Sequence, residues 1–166
     1  MLKIISSMDA LDFSQLSSVY EESVGKDGAE NYNNESRNLQ YLQSKQDFYA
    51  YLQDFFSQEE SLLCIWAPGD TYKAALRLEP YRDGLLLAGL ETAPDARQKG
   101  YAKSLVNAVV DKWGNMGSFL LYSHVEKRNL ASISVHNACG FEKILDYGVY
   151  SDGSVFHDSF TFCRKI

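Results

Sequence analysis

The run Arg97-Gln98-Lys99-Gly100-Tyr101-Ala102 joins a predicted strand to a predicted helix. A turn of this kind leaves backbone N–H groups without intrahelical partners, at the positive end of the helix dipole. Gly100 removes a side chain where a ligand must approach the backbone, and Lys103 adds a further positive charge. Because such a turn suits a phosphate group, the run predicts a site for a phosphorylated ligand.

Side chains that could move a proton lie on the neighbouring predicted elements. Alternation along the predicted strand 119–125 places Tyr122, His124 and Glu126 on one face of a sheet. His124 could then accept a proton directly or through water, with Glu126 available to orient it. Glu91, at the end of the preceding predicted strand, is the alternative base.

The histidines do not form a recognisable metal site. His124, His136 and His157 are separated by 12 and 21 residues, which matches no familiar ligand pattern. We therefore predict no metal.

Hydrophobic periodicity indicates the elements that must position these groups. The strongest pattern is an apolar stripe that predicts a helix, formed by Ala102, Leu105, Val106, Val109, Val110 and Trp113. Further helices are predicted at 10–24, 39–56 and 130–139, with Asp9 as a possible cap of the first, and 25–37 is predicted to be an irregular loop. Strands are predicted at 2–7, 61–67, 71–78, 85–92, 119–125, 144–150 and 155–162.

The predicted order is β-α-α-β-β-β-α-β-α-β-β. The strand-helix-strand unit over 85–125 requires a parallel pair, whereas the flanking hairpins require antiparallel neighbours. The sequence therefore predicts an α/β protein whose mixed sheet of about seven strands is flanked by about four helices on both faces. Residues 1–166 are predicted to form a single domain.

Composition limits the classes of partner and the setting. The net charge of -6 argues against nucleic acid, because polyanion binding normally needs a basic face. The N-terminus lacks the apolar core of a signal peptide, no stretch is apolar enough to span a membrane, and the three cysteines form no CxxC pair. We expect a cytoplasmic protein, monomeric or homodimeric.

Together the motifs resemble the GCN5-related N-acetyltransferase (GNAT) family. The acetyl-CoA signature of that family, Gln/Arg-x-x-Gly-x-Gly/Ala, fits residues 97–102. The block 129–141 resembles the family's Asn-x-x-Ser/Ala helix that ends in Gly-Phe, and the resemblance spans roughly residues 60–165.

The resemblance implies acetyl-CoA as cofactor. In the family the strand before the glycine turn splays from the next parallel strand, and pantetheine fills the gap, which would place Glu91 and Ala93 beside the cofactor arm. The cofactor-binding residues implied here are Thr92, Arg97, Gln98, Lys99, Gly100, Tyr101, Ala102, Lys103, Asn129 and Ser132.

The resemblance also suggests proton-transfer residues. Many members use a tyrosine four residues before Gly-Phe as the acid, and this chain has His136 there. An imidazolium can still donate a proton, although a packing role on the helix is the alternative. Substitute acids are Tyr101, Tyr122, Tyr147 and Tyr150. His124 lies where certain relatives carry a glutamate base. An amine acceptor of lowered pKa would need no dedicated base.

The expected function is direct, acetyl-CoA-dependent acetylation of a small amine or amino-acid-like acceptor. Alternatives are acetylation of a protein N-terminus or lysine, and an acyl-CoA sensor without turnover. The segments 23–37 and 151–158 are expected to select the acceptor. The acidic candidates for holding an ammonium group are Glu21, Glu22, Glu30 and Asp158.

Overall fold

A computed structural model describes all of residues 1–166. The helices are α1 (Phe13–Val19), α2 (Glu21–Asn31), α3 (Arg37–Ser57), α4 (Tyr101–Gly114) and α5 (Leu130–Ala138). The strands are β1 (Leu2–Ile5), β2 (Leu62–Trp66), β3 (Ala74–Tyr81), β4 (Gly84–Thr92), β5 (Leu120–Glu126), β6 (Glu142–Leu145), β7 (Gly148–Val149), β8 (Val155–Phe156) and β9 (Ser159–Lys165).

Seven strands form one mixed sheet in the order β1-β2-β3-β4-β5-β9-β6. Only β4 and β5 run parallel, and α4 crosses between them, as the strand-helix-strand pattern predicts. Every other pair is antiparallel. The predicted class, an α/β protein with a mixed sheet, is confirmed, with five helices instead of about four.

Each face of the sheet carries its own apolar core. The predicted stripe of α4 buries Leu105, Val106 and Val109 against one face. On the other face α1–α3 bury Leu16 and Leu52 against β1–β3. The two helical layers therefore stand on opposite sides of the gap between β4 and β5.

The prediction of an irregular loop at 25–37 is confirmed only for 32–36, because α2 continues to Asn31 and α3 begins at Arg37. Sequence reasoning treats the glycines there as helix breakers, but a Cβ at Gly28 would lie 2.6 Å from the Gln40 carbonyl oxygen of α3. Gly28 therefore lets two helices pack closely, and this tertiary contact outweighs its low helix propensity. The predicted helix 10–24 is likewise divided at Tyr20, and Asp12 rather than Asp9 caps α1.

The last two predicted strands, 144–150 and 155–162, are each divided in two. β6 and β9 join the main sheet, whereas β7 and β8 form a separate hairpin around the predicted turn 151–153. The hairpin packs over β9 and contributes a wall near His124. None of the helices is long and apolar enough to cross a membrane.

Candidate active site

The site begins where β4 and β5 stop pairing. Their parallel register runs from Gly84↔Leu120 to Leu87↔Ser123 and goes no further, although both strands continue. At the same level β4 has a bulge, because two residues, Gly89 and Leu90, lie opposite Leu76 of β3. Gly89 has a φ of 57°, which glycine adopts readily, and a bulge bends its strand. The sheet therefore opens into a gap lined by unpaired backbone.

The glycine turn lies at the mouth of this gap. Gly100 has a φ of 78° and is the N-cap of α4, so the first N–H groups of that helix point out of the turn. A Cβ at Gly100 would meet no atom within 4 Å, so the space in front of the backbone is open. The turn thus has the open, amide-lined cradle that a pyrophosphate needs.

A cleft of about 700 Å³ extends from this turn along β4 and α5. It brings together nine of the ten residues that the resemblance implied for the cofactor: Thr92, Arg97, Gln98, Gly100, Tyr101, Ala102, Lys103, Asn129 and Ser132. The tenth, Lys99, does not line the cleft, because its Nζ donates to the Asp95 carbonyl oxygen at 2.9 Å. Asn129 caps α5 by accepting from the Ser132 N–H at 3.0 Å.

Arg97 has a partner that sequence reasoning did not identify. Its Nη1 and Nη2 donate to the two oxygens of Glu22 on α2, at 2.9 and 2.7 Å. Glu22, one of the acidic candidates for holding an ammonium group, lines the cofactor cleft. Both side chains are substantially exposed, so this pair contributes about 1 kcal/mol or less and yields readily to a stronger anion.

A second cavity of about 300 Å³ occupies the gap itself. All three predicted proton-transfer residues, Glu91, His124 and His136, line it, together with Ser123 and Asn129. Of the four tyrosines considered as acids, only Tyr101 reaches the cofactor cleft, and Tyr122 donates to Asp83 instead.

Glu91 is half-buried on β4, facing the helices α1–α3. The Ser23 hydroxyl of α2 donates to its Oε1. Burial raises the pKa of the Glu91 carboxyl above its ordinary value, although the Ser23 hydrogen bond and Arg97 act in the opposite direction. A carboxylate with a raised pKa is a better proton acceptor than an exposed one.

His124 lies beneath the β7–β8 hairpin. Its Nε2 is 3.5 Å from the Val149 N–H nitrogen and 3.5 Å from the Tyr81 hydroxyl, and its ring meets Phe156 edge to face. The predicted orienting residue, Glu126, makes no hydrogen bond to it. Burial lowers the pKa of His124, and the Arg82 charge acts in the same direction. The neutral imidazole is therefore the form favoured at neutral pH.

His136 is only 1% exposed and both of its ring nitrogens have partners. Nδ1 lies 2.8 Å from the Ser132 carbonyl oxygen, which can only accept, so Nδ1 carries the proton. Nε2 then accepts from the Ser123 hydroxyl at 2.9 Å. Burial lowers the pKa of His136 more than the Ser132 hydrogen bond raises it. Ser123 thus stands between His136 and the rest of the gap.

This burial predicts a pH-dependent stability. The folded pKa of His136 is depressed, so between pH 6.5 and that lower value the unfolded state binds more protons and the free energy of unfolding falls as pH falls. The slope per histidine is at most about 1.4 kcal/mol per pH unit. We expect urea titrations between pH 5 and pH 8 to show a smaller slope for His136→Gln than for the wild type.

The pKa of His124 is shifted in the same direction, so part of the slope should remain in His136→Gln. The double variant His124→Gln/His136→Gln should show a smaller slope than either single variant. An unchanged slope in His136→Gln would show that His136 is not held neutral.

A third cavity, of about 420 Å³, opens on the other side of Glu91, between α2, α3 and the sheet. Its walls include Tyr20, Phe48 and Tyr51, and its charged groups include Arg77, Asp27 and Asp47. Sequence reasoning missed these residues, and the predicted acidic contacts Glu21, Glu30 and Asp158 do not line this cavity. The one available signal was Arg77, a charge within the otherwise apolar strand 74–78.

A mixed sheet that opens beside a glycine turn at a helix N-terminus forms a cleft suited to a ligand that carries a phosphate group. Residues 29–141 match the model of the acetyltransferase (GNAT) family, which is more than half of the chain. The protein belongs to the GNAT family and is an acetyltransferase that uses acetyl-CoA.

Solved structures share the fold at low sequence identity. The PaiA N-acetyltransferase from Thermoplasma acidophilum, solved with coenzyme A, has a TM-score of 0.69 at 16% identity, covering 100% of this chain and 99% of that one. The phosphinothricin acetyltransferase from Sinorhizobium meliloti, solved with AcCoA, has a TM-score of 0.64 at 16% identity, covering 99% and 88%.

The ribosomal-protein-S18-alanine N-acetyltransferase from Escherichia coli has a TM-score of 0.61 at 18% identity, covering 100% of this chain and 94% of that one. These likenesses establish the fold. No curated protein sequence matches the chain.

Proposed function

We propose that this acetyltransferase transfers the acetyl group directly to the primary amine of a small acceptor. One observation carries the proposal: Glu91 lines the cofactor cleft, the gap between β4 and β5, and the third cavity. A donor that enters from the α4–α5 side and an acceptor that enters from the α2–α3 side would therefore meet at this carboxylate.

On the donor side, the amides of residues 98–103 and the side chains of Arg97 and Lys103 would hold the pyrophosphate. Thr92, Asn129 and Ser132 would follow the pantetheine arm along the cleft. Acetyl-CoA supplies a thioester as the activated acyl group. Unpaired N–H groups of β4 in the gap would stabilise the oxyanion that forms when the amine attacks.

On the acceptor side, Glu91 would take a proton from the attacking ammonium, helped by its raised pKa. His124 is the second candidate base, because it lines the same gap and its neutral form is favoured. His136 remains the proposed acid. To act so it would have to be the imidazolium, protonated on both ring nitrogens, with Nε2 donating to Ser123 Oγ while the Ser123 hydroxyl proton passes to the leaving sulfur. Its lowered pKa makes this form the minor one at neutral pH.

Cysteine chemistry does not favour a covalent acyl-enzyme. Cys64 and Cys139 are buried, none of the three cysteines lines the cofactor cleft or the gap, and burial raises the pKa of the Cys139 thiol. A thiol of raised pKa is a poor nucleophile at neutral pH. This supports transfer in one step.

Calorimetry with acetyl-CoA and thiol release against a panel of amines test the proposal together. We expect micromolar or tighter binding and release of free thiol with at least one small amine. Absence of acetyl-CoA binding would contradict the whole assignment. Turnover only with peptides that carry a free N-terminus or a lysine would move the acceptor to proteins, a possibility suggested by the S18-alanine enzyme of the same fold.

A sensor that binds acyl-CoA without turnover is the second candidate function. The burial of His136 favours this sensor role, because the family resemblance places a tyrosine that acts as general acid at the same position. Binding without acetylation of any amine, unaltered by His124→Ala or His136→Ala, would support the sensor. A single domain, a cytoplasmic setting and a monomeric or homodimeric state stay predictions.

A further inference from the structure

Arg77 is a charged side chain without a hydrogen-bond or ion-pair partner in the protein. It is half-buried on β3, makes no ion pair and no side-chain hydrogen bond, and its Nε is fully buried with no acceptor. Buried guanidinium nitrogens are normally hydrogen-bonded, so an unsatisfied Nε requires an explanation. Its position offers one, since Arg77 lines the third cavity beside Glu91.

No carboxylate lies within ion-pair distance of this guanidinium, although the Glu91 carboxylate of the same cavity is near enough to interact with its charge. The centre of the Tyr51 ring lies 5.0 Å from its Cζ. Gly89 is also close, since a Cβ there would come within 2.9 Å of Nη1 and 3.0 Å of Cζ. The bulge glycine therefore makes room for Arg77 against the backbone of β4. A planar fork packed against a ring and a backbone is preorganised for a bidentate ligand.

We infer that Arg77 binds a carboxylate of the acceptor, so the acceptor is a free amino acid rather than a simple amine. The inference deepens the proposed function and rests on it, because it concerns the same acceptor cavity. Glu91 pairs across the sheet with Ala75, two residues from Arg77 on β3. That is about 7 Å along the strand, which suits an ammonium and a carboxylate on one small molecule.

The remaining charges of the cavity limit the class further. Asp27 and Asp47 are exposed, and neither lies within ion-pair distance of Arg77. Asp47 accepts from the Tyr32 hydroxyl at 2.5 Å. These carboxylates disfavour a second negative charge on the acceptor. Walls of Tyr20, Phe48 and Tyr51 suit an apolar or cationic side chain, so acidic amino acids should be poor acceptors.

The test compares matched acceptors that differ only in the carboxylate. L-phenylalanine is paired with phenethylamine and with L-phenylalaninamide, and L-lysine is paired with cadaverine. We expect kcat/KM of the wild type to favour the amino acid of each set. In Arg77→Gln the KM for the amino acid should rise about 10- to 100-fold, with little change for the amine or the amide. Arg77→Lys should recover part of the loss.

Arg37→Gln is the control, because Arg37 is exposed and its loss changes the net charge equally. Acetyl-CoA affinity and the melting temperature should match the wild type in all three variants. Equal kcat/KM for amino acids and amines would overturn the inference, and so would an equal loss in Arg77→Gln for every acceptor, or a preference for diamines.

Binding separates a failure of this inference from a failure of the proposed function. Titration of the same acceptors into protein saturated with coenzyme A needs no turnover. Amino-acid binding that Arg77→Gln weakens, in a protein that acetylates nothing, would support the carboxylate site and contradict the transferase. Acetylation of amines at a rate that Arg77→Gln does not change would support the transferase and contradict the carboxylate site.

Discussion

Gly100→Glu is expected to abolish measurable acetyl-CoA binding while the protein still folds. The substituted side chain would enter the open space before the N–H groups of α4 and place a negative charge where the pyrophosphate is proposed to lie. It would also occupy the positive end of the helix dipole. Because both the space and the charge are lost, we expect Kd to rise by more than about 100-fold, which is about 2.7 kcal/mol.

Two variants separate this effect from backbone strain. Gly153, in the turn of the β7–β8 hairpin, has a φ of 88° and no atom within 4 Å of a Cβ, so Gly153→Glu imposes the same strain away from the cleft. A non-glycine residue in this conformation costs about 1 kcal/mol. Gly100→Ala adds only a methyl group. Calorimetry should show binding intact in Gly153→Glu, weakened in Gly100→Ala and absent in Gly100→Glu. Retained affinity in Gly100→Glu would reject the phosphate cradle.

Glu91→Gln is expected to lower kcat by about 10²- to 10⁴-fold, the usual contribution of a general base. The amide is nearly isosteric and can still pair with Ser23, so acetyl-CoA affinity should change little. Initial-rate assays at saturating acetyl-CoA and varied acceptor concentration would measure kcat and KM separately. A loss confined to KM would make Glu91 a binding group.

The pH profile identifies the base. For a carboxylate or imidazole base, kcat/KM falls as pH drops through its pKa, because the protonated form cannot accept a proton. The shifts move Glu91 upwards and His124 downwards from their ordinary values, so the position of the acid limb alone does not distinguish them. Removal of each candidate base distinguishes them. If Glu91 is the base, the acid limb of the kcat/KM profile should disappear in Glu91→Gln and persist in His124→Asn.

Glu79→Gln is the matched control for Glu91→Gln. Glu79 lies on β3, on the same face of the sheet as Arg77, but lines none of the three cavities of the site. Its substitution should leave kcat unchanged. If Glu91→Gln and Glu79→Gln behave alike and His124→Asn abolishes the acid limb, His124 is the base.

The geometry beside the proposed cofactor cleft was predictable because its signal is local. A glycine with positive φ, the amides that follow it and the stripe of α4 all lie within residues 97–114. The strand-helix-strand order then fixes a parallel pair, and with it the position of the opening. Nine of the ten residues that the family resemblance implies for the cofactor line one cleft, and their binding role stays a prediction.

The acceptor half depends on contacts between distant segments, which a single sequence does not reveal. Gly28 looks like a loop residue in the sequence, but it lies within a helix. Glycine is needed there because the backbone of Gln40, in another helix, lies too close for a side chain. The pairing of Arg97 with Glu22 joins residues 75 positions apart. Arg77 has no hydrogen-bond or ion-pair partner in the protein, and no sequence pattern indicates that such partners are missing.

The opening between β4 and β5 also has a thermodynamic meaning. Beyond Leu87 and Ser123 these strands forgo the ladder hydrogen bonds that neighbouring strands normally share. A ligand whose own amides pair with those strand edges takes the place of a strand segment. The backbone groups that bind the cofactor are then the same groups that would otherwise pair in the folded sheet. The folded population of this protein is then coupled to the supply of acetyl-CoA: at a concentration 100 times Kd the ligand adds about 2.7 kcal/mol to the free energy of unfolding.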